Sequence, residues 1–311
     1  MPAYNARRHI GEAIESVLTQ TVRDLQLLVI DDGSTDGTLD VARRYASRDP
    51  RVCVETQPNA GIAHTLNRGL ASLRGEWVFL MHADDVMMPN RLERQTAFIA
   101  ANSDLSVASS LVYYVNESGE TFGHGRSPFT ARRSVEAAVG RAELIAFNHP
   151  ACALKRQAVL DAGGYRQEFW PAEDCDLWVR LAERGHRVAV QDEYLLKYRI
   201  HASSASISRA RLMQQKTLWV ERCIERRRRN EPEPTWEEFQ VERRQAPWPT
   251  RLNQCRQEFG RTFYQAAVHH VSSRDFVRFV PMFAAAAALK PRMVLSRILP
   301  RLVPRRARPT P

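Results

Sequence analysis

Apolar runs and amphipathic segments alternate along the first two-thirds of the chain. Apolar residues at helical spacing predict helices over residues 10–19, 38–46, 62–73 and 90–101. Between them, nearly continuous apolar runs predict buried strands over residues 25–30 and 77–81, with a shorter strand over 51–55. Because strands and helices alternate, we expect an α/β fold with a mostly parallel sheet flanked by helices.

The pattern changes in the second half of the chain. Residues 105–126 are predicted to be β-rich, followed by helices over 156–162 and 174–184 and strands over 188–190 and 194–200. Beyond residue 206 the chain is rich in arginine, and its pattern is mainly helical. We therefore expect a principal domain over residues 1–206 and a basic, mainly helical C-terminal extension over residues 207–311.

Composition and charge narrow the classes of partner. The 311-residue chain is 44% hydrophobic and has a net charge of +10, which suits partners that carry phosphate. Its five cysteines form no CxxC pair, which argues against a disulfide framework or a zinc site. The first residues lack a basic and then apolar leader, so we expect no signal peptide and a cytoplasmic location.

Two predicted strands end in pairs of acids, Asp31-Asp32 and Asp84-Asp85. Ligands of open α/β sheets bind beyond the carboxyl ends of the strands. Adjacent carboxylates in a cleft repel each other unless a cation joins them, and Mg²⁺ or Mn²⁺ bridging a diphosphate is a natural partner. The alternative for Asp84-Asp85 is a solvated loop. For residues 31–38, which contain Gly33 and Gly37, the alternative is a well-capped turn into a helix.

Two later segments also carry candidate groups. Asp174 lies at the start of a predicted helix, where it could be a general base for a hydroxyl nucleophile or a helix cap favoured by the helix dipole. Arg199 and His201 lie on one face of a predicted strand. They could contact phosphate, or they could be ordinary surface residues.

Taken together, these segments resemble glycosyltransferase family 2, in the order and spacing of that family across residues 1–206. The segments that carry the resemblance are Pro2-Ala3-Tyr4-Asn5, Asp31 to Thr38, Asn59-Ala60-Gly61 with Asn67 and Gly69, Gly75-Glu76, Ala83-Asp84-Asp85, Glu173 to Trp178, and Tyr198 to His201. The resemblance implies the GT-A fold, a Rossmann-like α/β architecture.

The resemblance also implies an inverting transfer from a nucleotide-diphosphate sugar to a glycan or lipid-linked acceptor. Asp174 would be the catalytic base, and Asp85 would hold Mn²⁺ or Mg²⁺. The remaining residues would bind the nucleotide sugar: Pro2, Ala3, Tyr4 and Asp32 at the base, Asp84 at the ribose, and Arg199 and His201 at the phosphates. The Gln-x-x-Arg-Trp motif of processive synthases is not found in the sequence, so transfer of a single sugar is expected, in assembly of surface glycan, lipopolysaccharide or exopolysaccharide.

The sequence departs from the family pattern in two places. His82 stands where the family often has a further aspartate. The family also has an apolar strand before its Pro-x-Tyr-Asn segment. We therefore expect the native protein to begin upstream of Met1 with a strand of about five or six residues. Without that strand, unpaired ladder groups and a hole in the core are expected.

Other functions remain open at this level. A nucleotidyltransferase shares a related design, although it would need a glycine-rich phosphate loop after the first strand. A nucleic-acid-binding protein could use the basic extension, but acids crowd the same stretch, and we expect no nucleic acid partner. A scaffold without activity is disfavoured because Asp32, Asp85 and Asp174 occur together. Residues 274–308 combine apolar and arginine side chains, so we expect either packing on the main domain or contact with an anionic membrane surface at its inner face.

Overall fold

A computed structural model describes residues 1–130, 132–141 and 143–295, and its strands and helices follow the predicted alternation. The strands are β1 (Pro2–Ala3), β2 (Leu27–Asp31), β3 (Val52–Thr56), β4 (Trp77–Phe79), β5 (Val86–Met87), β6 (Leu105–Val115), β7 (Thr121–His124), β8 (Ala153–Lys155) and β9 (Arg187–Arg199). The helices are α1 (Ile10–Leu18), α2 (Thr38–Ala46), α3 (Ile62–Ser72), α4 (Arg91–Ala100), α5 (Arg132–Gly140), α6 (Arg156–Asp161), α7 (Glu173–Glu183), α8 (Ala205–Ser208), α9 (Ala210–Arg228), α10 (Trp236–Gln245), α11 (Trp248–Ser272) and α12 (Phe276–Leu289).

The first sheet is fully parallel, in the order β1-β2-β3. Every residue of β2 is buried, because helices and strands cover it as expected for a parallel strand with a continuous apolar run. Ile10, Ile14 and Val17 of α1 belong to the same core cluster as Val29 of β2. This packing fixes the carboxyl end of β2, where Asp31 and Asp32 begin the first acidic loop.

The second sheet is mixed, in the order β4-β8-β6-β9-β5, with β7 paired to β6. Strands β6 and β9 run parallel, whereas the other pairs of this sheet are antiparallel. Residues 77–81 were expected to form a strand of the parallel sheet. The strand is present, but the predicted parallel pairing is wrong. Only residues Trp77 to Phe79 form β4, and they pair antiparallel with Lys155 to Ala153 of β8.

Strand β9 also differs from the prediction, which divided it into strands over 188–190 and 194–200. In the structure β9 is one strand, and its register with β6 shifts between Ser110 and Leu111. Ser110 lies opposite Gln191, and Leu111 lies opposite Tyr194, so the intervening polar residues form a bulge. A polar interruption within an otherwise apolar strand therefore marked a bulge and not a loop.

An apolar cavity of about 570 Å³ is lined by both β2 and β4. Its walls include Leu28, Ile30, Trp77 and Val78, together with Met1. The terminal ammonium of Met1 donates a hydrogen bond to the carbonyl of Leu28 at 2.7 Å. The strand expected upstream of Met1 stays a prediction.

The chain divides into two compact units. The first contains Met1–Arg199 and Val220–Glu233, and the second contains Ile200–Trp219 and the residues from Pro234 onward. Within the second unit, Tyr264, Ala286 and Val294 form a small core. The domain boundary at residue 206 stays a prediction. Across the described residues, no helix has the length and apolar character needed to cross a membrane, and the basic run from 301 to 308 lies outside them.

Candidate active site

The loop that carries Asp84 and Asp85 is fixed at both ends by the second sheet. Before it, the amide of Leu80 donates to the carbonyl of Cys152 at 2.8 Å, which continues the contact between β4 and β8. After it, Val86 and Met87 pair with β9. The position of both acids is therefore set by two different strand pairings.

Asp85 is buried, with 1% of its surface exposed. Its Oδ1 accepts a hydrogen bond from the amide of Arg199 at 2.8 Å, whereas its Oδ2 has no hydrogen-bond partner. Burial, and next the charge of Asp84, raise the pKa of Asp85 well above its ordinary value. A buried carboxylate oxygen without a partner is costly, so this position favours a cation or a proton.

His82, Asp84 and Asp85 each direct one ligand atom into the same space, and these three atoms lie within 4.8 Å of one another. Burial lowers the pKa of His82, so that its imidazole is neutral and keeps a lone pair. Two carboxylates and a neutral imidazole form a donor set that fits a divalent cation, and the unpartnered Oδ2 of Asp85 supplies a free ligand position.

Arg199 is buried beneath this loop, with 2% of its surface exposed. Its Nε donates to the carbonyl of Asp84 at 2.8 Å, and its Nη1 donates to the carbonyls of Asn116 and Glu117. Its Nη2 pairs with Glu12 at 2.6 Å. The guanidinium thus holds the acidic loop against the turn between β6 and β7, and its predicted contact with phosphate stays a prediction.

Arg91 is a further charged group that the sequence analysis missed. It is fully buried, its Nε donates to Gln95 at 2.8 Å, and its Nη1 has no hydrogen-bond partner. Burial lowers its pKa to about 10, while nearby Cys152 and Asp85 act in the opposite direction. Arg91 and Gln95 share the buried face of α4 with Leu92, and polar residues on an apolar helix face were the signal available in the sequence.

Asp32, in the first acidic pair, has a different environment. It is 5% exposed, its Oδ1 accepts from Gln57 at 2.7 Å and from the amide of Ala60 at 2.9 Å, and its Oδ2 accepts from the amide of Gly61 at 2.9 Å. Asp32 therefore holds the loop 59–61 against the end of β2.

Gly33 permits this close approach of the two loops. Its φ of +75° lies in the left-handed region, and a Cβ at this position would lie 2.7 Å from the backbone nitrogen of Asn59. A side chain here would push the loop 59–61 away from Asp32. The glycine of the Asp-Asp-Gly-Ser segment is thus required by packing as well as by the turn.

The segment Pro2-Ala3-Tyr4, which was predicted to line the base pocket, contacts Asp32 through Ala3. The carbonyl of Ala3 accepts from the amide of Asp32 at 2.8 Å, and the Tyr4 side chain is 54% exposed. Asn5 ties the same segment to the next loop, because its amide donates to the hydroxyl of Ser34 at 3.0 Å. The nucleotide-binding roles of these residues stay predictions.

Asp174 lies in the first turn of α7 and is half-buried. Its Oδ1 accepts from the amide of Cys175 at 2.7 Å, and burial raises its pKa to about 6. The neighbouring Glu173 is buried, and its Oε2 has no hydrogen-bond partner. Burial, and next the charge of Asp174, raise the pKa of Glu173. Asp176 differs from both, because it forms ion pairs with Arg166 and Arg180.

A buried chain of hydrogen-bonding groups leads away from His82, and the sequence analysis did not predict it. His82 Nε2 lies 3.1 Å from His149 Nδ1, and His149 Nε2 lies 2.8 Å from the Tyr165 hydroxyl. Tyr165 is fixed in turn by Asn67, whose side chain bonds both the amide and the carbonyl of Tyr165. Burial, followed by nearby Cys152 and Asp174, raises the pKa of Tyr165 well above its ordinary value.

His201 lies in the second compact unit, whereas the other predicted site residues lie in the first. Its Nδ1 lies 2.8 Å from the hydroxyl of Ser203, and its amide donates to Ser204 at 3.1 Å. The predicted contact of His201 with phosphate stays a prediction.

Comparison with known proteins bears on the identity of this site. Residues 1–164 match the family model described as glycosyl transferase family 2. Over 203 residues the chain is 31% identical to the putative glycosyltransferase EpsE of Bacillus subtilis strain 168, an alignment that covers 64% of this chain and 71% of EpsE.

Two solved structures are similar over almost the whole chain. One is S. aureus TarS, residues 1–349, in complex with UDP-GlcNAc, with a TM-score of 0.55, 16% identity, and coverage of 93% of this chain and 90% of TarS. The other is the mannosyltransferase PcManGT from Pyrobaculum calidifontis in complex with GDP-Man and Mn²⁺, with a TM-score of 0.54, 20% identity, and coverage of 96% and 77%. These likenesses confirm the GT-A fold. Since the family model matches more than half of the chain, this protein belongs to glycosyl transferase family 2.

Proposed function

We propose that this glycosyltransferase moves a single sugar from a nucleotide-diphosphate sugar to a hydroxyl acceptor, with inversion at the anomeric carbon. The observation that carries the proposal is the buried Asp85, whose Oδ2 has no hydrogen-bond partner beside His82 and Asp84. When bound there, Mn²⁺ or Mg²⁺ would be held by Asp85 and would neutralise charge on the departing diphosphate.

The donor nucleotide is assigned to the end of the first sheet. Tyr4 is exposed beside the buried Asp32, so an aromatic face and a carboxylate are available to a base. Pro2 and Ala3 are assigned to the same base pocket, and Asp84 is assigned to the ribose. Arg199 and His201 are assigned to the phosphates. Arg199 also acts as a positioning residue, because its backbone amide donates to Asp85 Oδ1 and its Nε donates to the carbonyl of Asp84.

Asp174 is proposed as the catalytic base. It removes the proton from the acceptor hydroxyl while that oxygen forms a bond to the anomeric carbon and the bond to the diphosphate breaks. Its raised pKa of about 6 strengthens it as a base, since the ideal catalytic pKa lies near the operating pH. A single displacement of this kind inverts the anomeric configuration and needs no covalent intermediate.

The acceptor class is proposed as a glycan or a lipid-linked sugar, in the assembly of surface glycan, lipopolysaccharide or exopolysaccharide. The protein would work in the cytoplasm, at the inner face of an anionic membrane. Phe276, Val277 and Val280 on α12 support that position, because 61%, 87% and 61% of their surfaces are exposed. Val277→Asp should weaken sedimentation with anionic vesicles, whereas Val241→Asp, at an exposed valine of α10, should not.

Transfer assays with UDP-, GDP- and TDP-sugars and Mn²⁺ test the reaction class. Asp174→Asn should lower transfer by about 10²- to 10⁴-fold, the usual contribution of a general base, while calorimetry still detects donor binding. Asp40→Asn, at an exposed acid on α2, is the matched control and should keep full activity. A product with the donor's anomeric configuration would refute the single displacement, and loss of donor binding in Asp174→Asn would make Asp174 a donor ligand.

A further inference from the structure

His82 has two nitrogens, and the structure gives them different surroundings. Nε2 lies 3.1 Å from His149 Nδ1, whereas one ring nitrogen of His82 shares the 4.8 Å cluster with Asp84 and Asp85. Since Nε2 is engaged by His149, Nδ1 is the nitrogen that remains for a ligand in the cluster. An aspartate, which the family often has at this position, would offer oxygen, so His82 changes the type of donor atom to nitrogen.

The hydrogen-bond chain determines which nitrogen carries the proton. If His82 Nδ1 offers a lone pair to a cation, Nε2 must carry hydrogen and donate to His149 Nδ1. His149 Nε2 then carries hydrogen and donates to the Tyr165 oxygen, which lies 2.8 Å away. Each of the two histidines therefore has one consistent tautomer. Asn67 fixes the far end of the hydrogen-bond chain by two hydrogen bonds to the Tyr165 backbone.

Such an arrangement is typical of metal-ligating histidines, whose second nitrogen is nearly always held by a hydrogen-bond acceptor. His149 is 7% exposed and Tyr165 is 3% exposed, so the support for His82 is sheltered from water. The ring of His149 also contacts Trp178, at 5.9 Å between centroids. The His82 ring is consequently held in one orientation by buried groups.

Resting on the proposed function, we propose that His82 Nδ1 is a metal ligand beside Asp85, that His149 and Tyr165 are its positioning residues, and that this nitrogen makes the site prefer Mn²⁺ to Mg²⁺. Mg²⁺ is bound almost entirely by oxygen and loses water reluctantly, whereas Mn²⁺ accepts imidazole more readily. An aspartate at residue 82 would remove that distinction.

The test uses the full chain and MnCl₂ or MgCl₂ alone. Electron paramagnetic resonance measures Mn²⁺ affinity, competition with Mg²⁺ gives the ratio of the two dissociation constants, and pulsed measurement detects coupling of Mn²⁺ to a directly bound nitrogen. The wild type should show nitrogen coupling. His82→Asp should bind Mn²⁺ without that coupling and lower the preference for Mn²⁺ about tenfold. His64→Asn, at an exposed histidine of α3, is the matched control and should change neither quantity.

Tyr165→Phe separates positioning from folding. Loss of the support should weaken Mn²⁺ binding about tenfold in the wild type, the usual effect of removing an outer-shell partner. In the His82→Asp background the same change should leave Mn²⁺ affinity unchanged. A general structural defect would instead weaken Mn²⁺ binding in both backgrounds. An equal loss in both backgrounds would overturn the positioning role.

The outcomes distinguish this proposal from the proposed function. Mn²⁺ binding that is lost in Asp85→Asn but shows no nitrogen coupling in the wild type overturns the role of His82 and leaves the metal site at Asp85. No Mn²⁺ binding in the wild type, with melting curves intact, overturns both. Nitrogen coupling that persists in His82→Asp would assign the ligand to another histidine and so reject His82.

Discussion

The two acidic pairs of this protein look alike in the sequence and differ in the structure. Asp32 and Asp85 both lie in a loop after a strand, both are the second acid of a pair, and both are buried. Asp32 accepts three hydrogen bonds, so both of its oxygens have partners within the protein. Asp85 accepts one, and its Oδ2 has none.

The difference shows how to distinguish a carboxylate that organises a loop from one that is ready to bind a cation. The backbone amides of Ala60 and Gly61 already donate hydrogen bonds to the carboxylate of Asp32. At Asp85 the nearby charges include Asp84, which opposes ionisation, and buried Arg199 and Arg91, which favour it. Burial alone does not identify a metal ligand. A buried carboxylate oxygen that has no hydrogen-bond partner and lies among other possible ligand atoms is a better indication of a metal ligand.

Asp85→Asn should produce the largest effect. Loss of one electrostatic contact of this kind typically costs about 3 kcal/mol or more in the barrier, which is at least about a hundredfold in turnover. The fold should remain, because the amide oxygen can still accept from Arg199. Mn²⁺ should raise the melting temperature of the wild type and not of the variant. Turnover near the wild-type value with Mn²⁺ would remove Asp85 from the metal site.

Asp32→Ala should act on stability. The amides of Ala60 and Gly61 and the Gln57 side chain would lose their acceptor, and buried unpaired donors cost about 1–3 kcal/mol each. With water entering the space, we expect a loss of about 2–3 kcal/mol in the free energy of unfolding, measured by denaturant titration. Asp40→Ala should change it by less than about 0.5 kcal/mol. The stabilising effect of Mn²⁺ should survive in Asp32→Ala, and its loss would make the two acids one site.

The pH dependence extends the comparison to Asp174, the third acid. Burial raises its pKa to about 6, and a general base must be deprotonated. As the pH falls below about 6, kcat/KM should therefore decrease tenfold per unit, at a pH well above that of an ordinary aspartate. This decrease in kcat/KM at low pH should be absent from the residual activity of Asp174→Asn. Activity that is constant from pH 7 to pH 5 in a folded enzyme would contradict Asp174 as the base.

Glu12→Gln should have the smallest effect. Glu12 pairs with Arg199 at 2.6 Å, but the Glu12 side chain is 54% exposed, and exposed ion pairs contribute about 0–1 kcal/mol. The carbonyls of Asp84, Asn116 and Glu117 would still hold the guanidinium. Turnover should fall less than about fivefold, within that same range. A loss as large as that of Asp85→Asn would mean that Glu12 itself is part of the site.

Local patterns were sufficient for most of the elements and for the two acidic loops. The helix predicted over residues 38–46 has those bounds, because its apolar positions and the preceding glycine turn are both local signals. The pairing of strands was harder to predict, because nothing in the residues of β4 indicates that its partner is β8. The bulge in β9 was interpreted as a break, because polar residues interrupt strands in either case.

The supporting residues of the site could not be predicted in the same way. His149 meets His82 across 67 positions of sequence, and Asn67 meets Tyr165 across 98. Such contacts depend on tertiary packing and leave no periodic pattern. The family resemblance named the residues that are expected to contact substrate, but not those that hold them in place.

The five hydrogen bonds of Arg199 have a consequence for the order of folding. Its bonds reach Asp85 across 114 residues, Asn116 across 83 and Glu12 across 187. Contacts so distant in sequence close large loops, which makes them late events in folding. During synthesis, Asp84 and Asp85 leave the ribosome more than a hundred residues before the arginine that fixes their loop. At about 5–20 residues per second, the nascent chain therefore carries its acids for roughly 6–23 seconds before it can assemble the site.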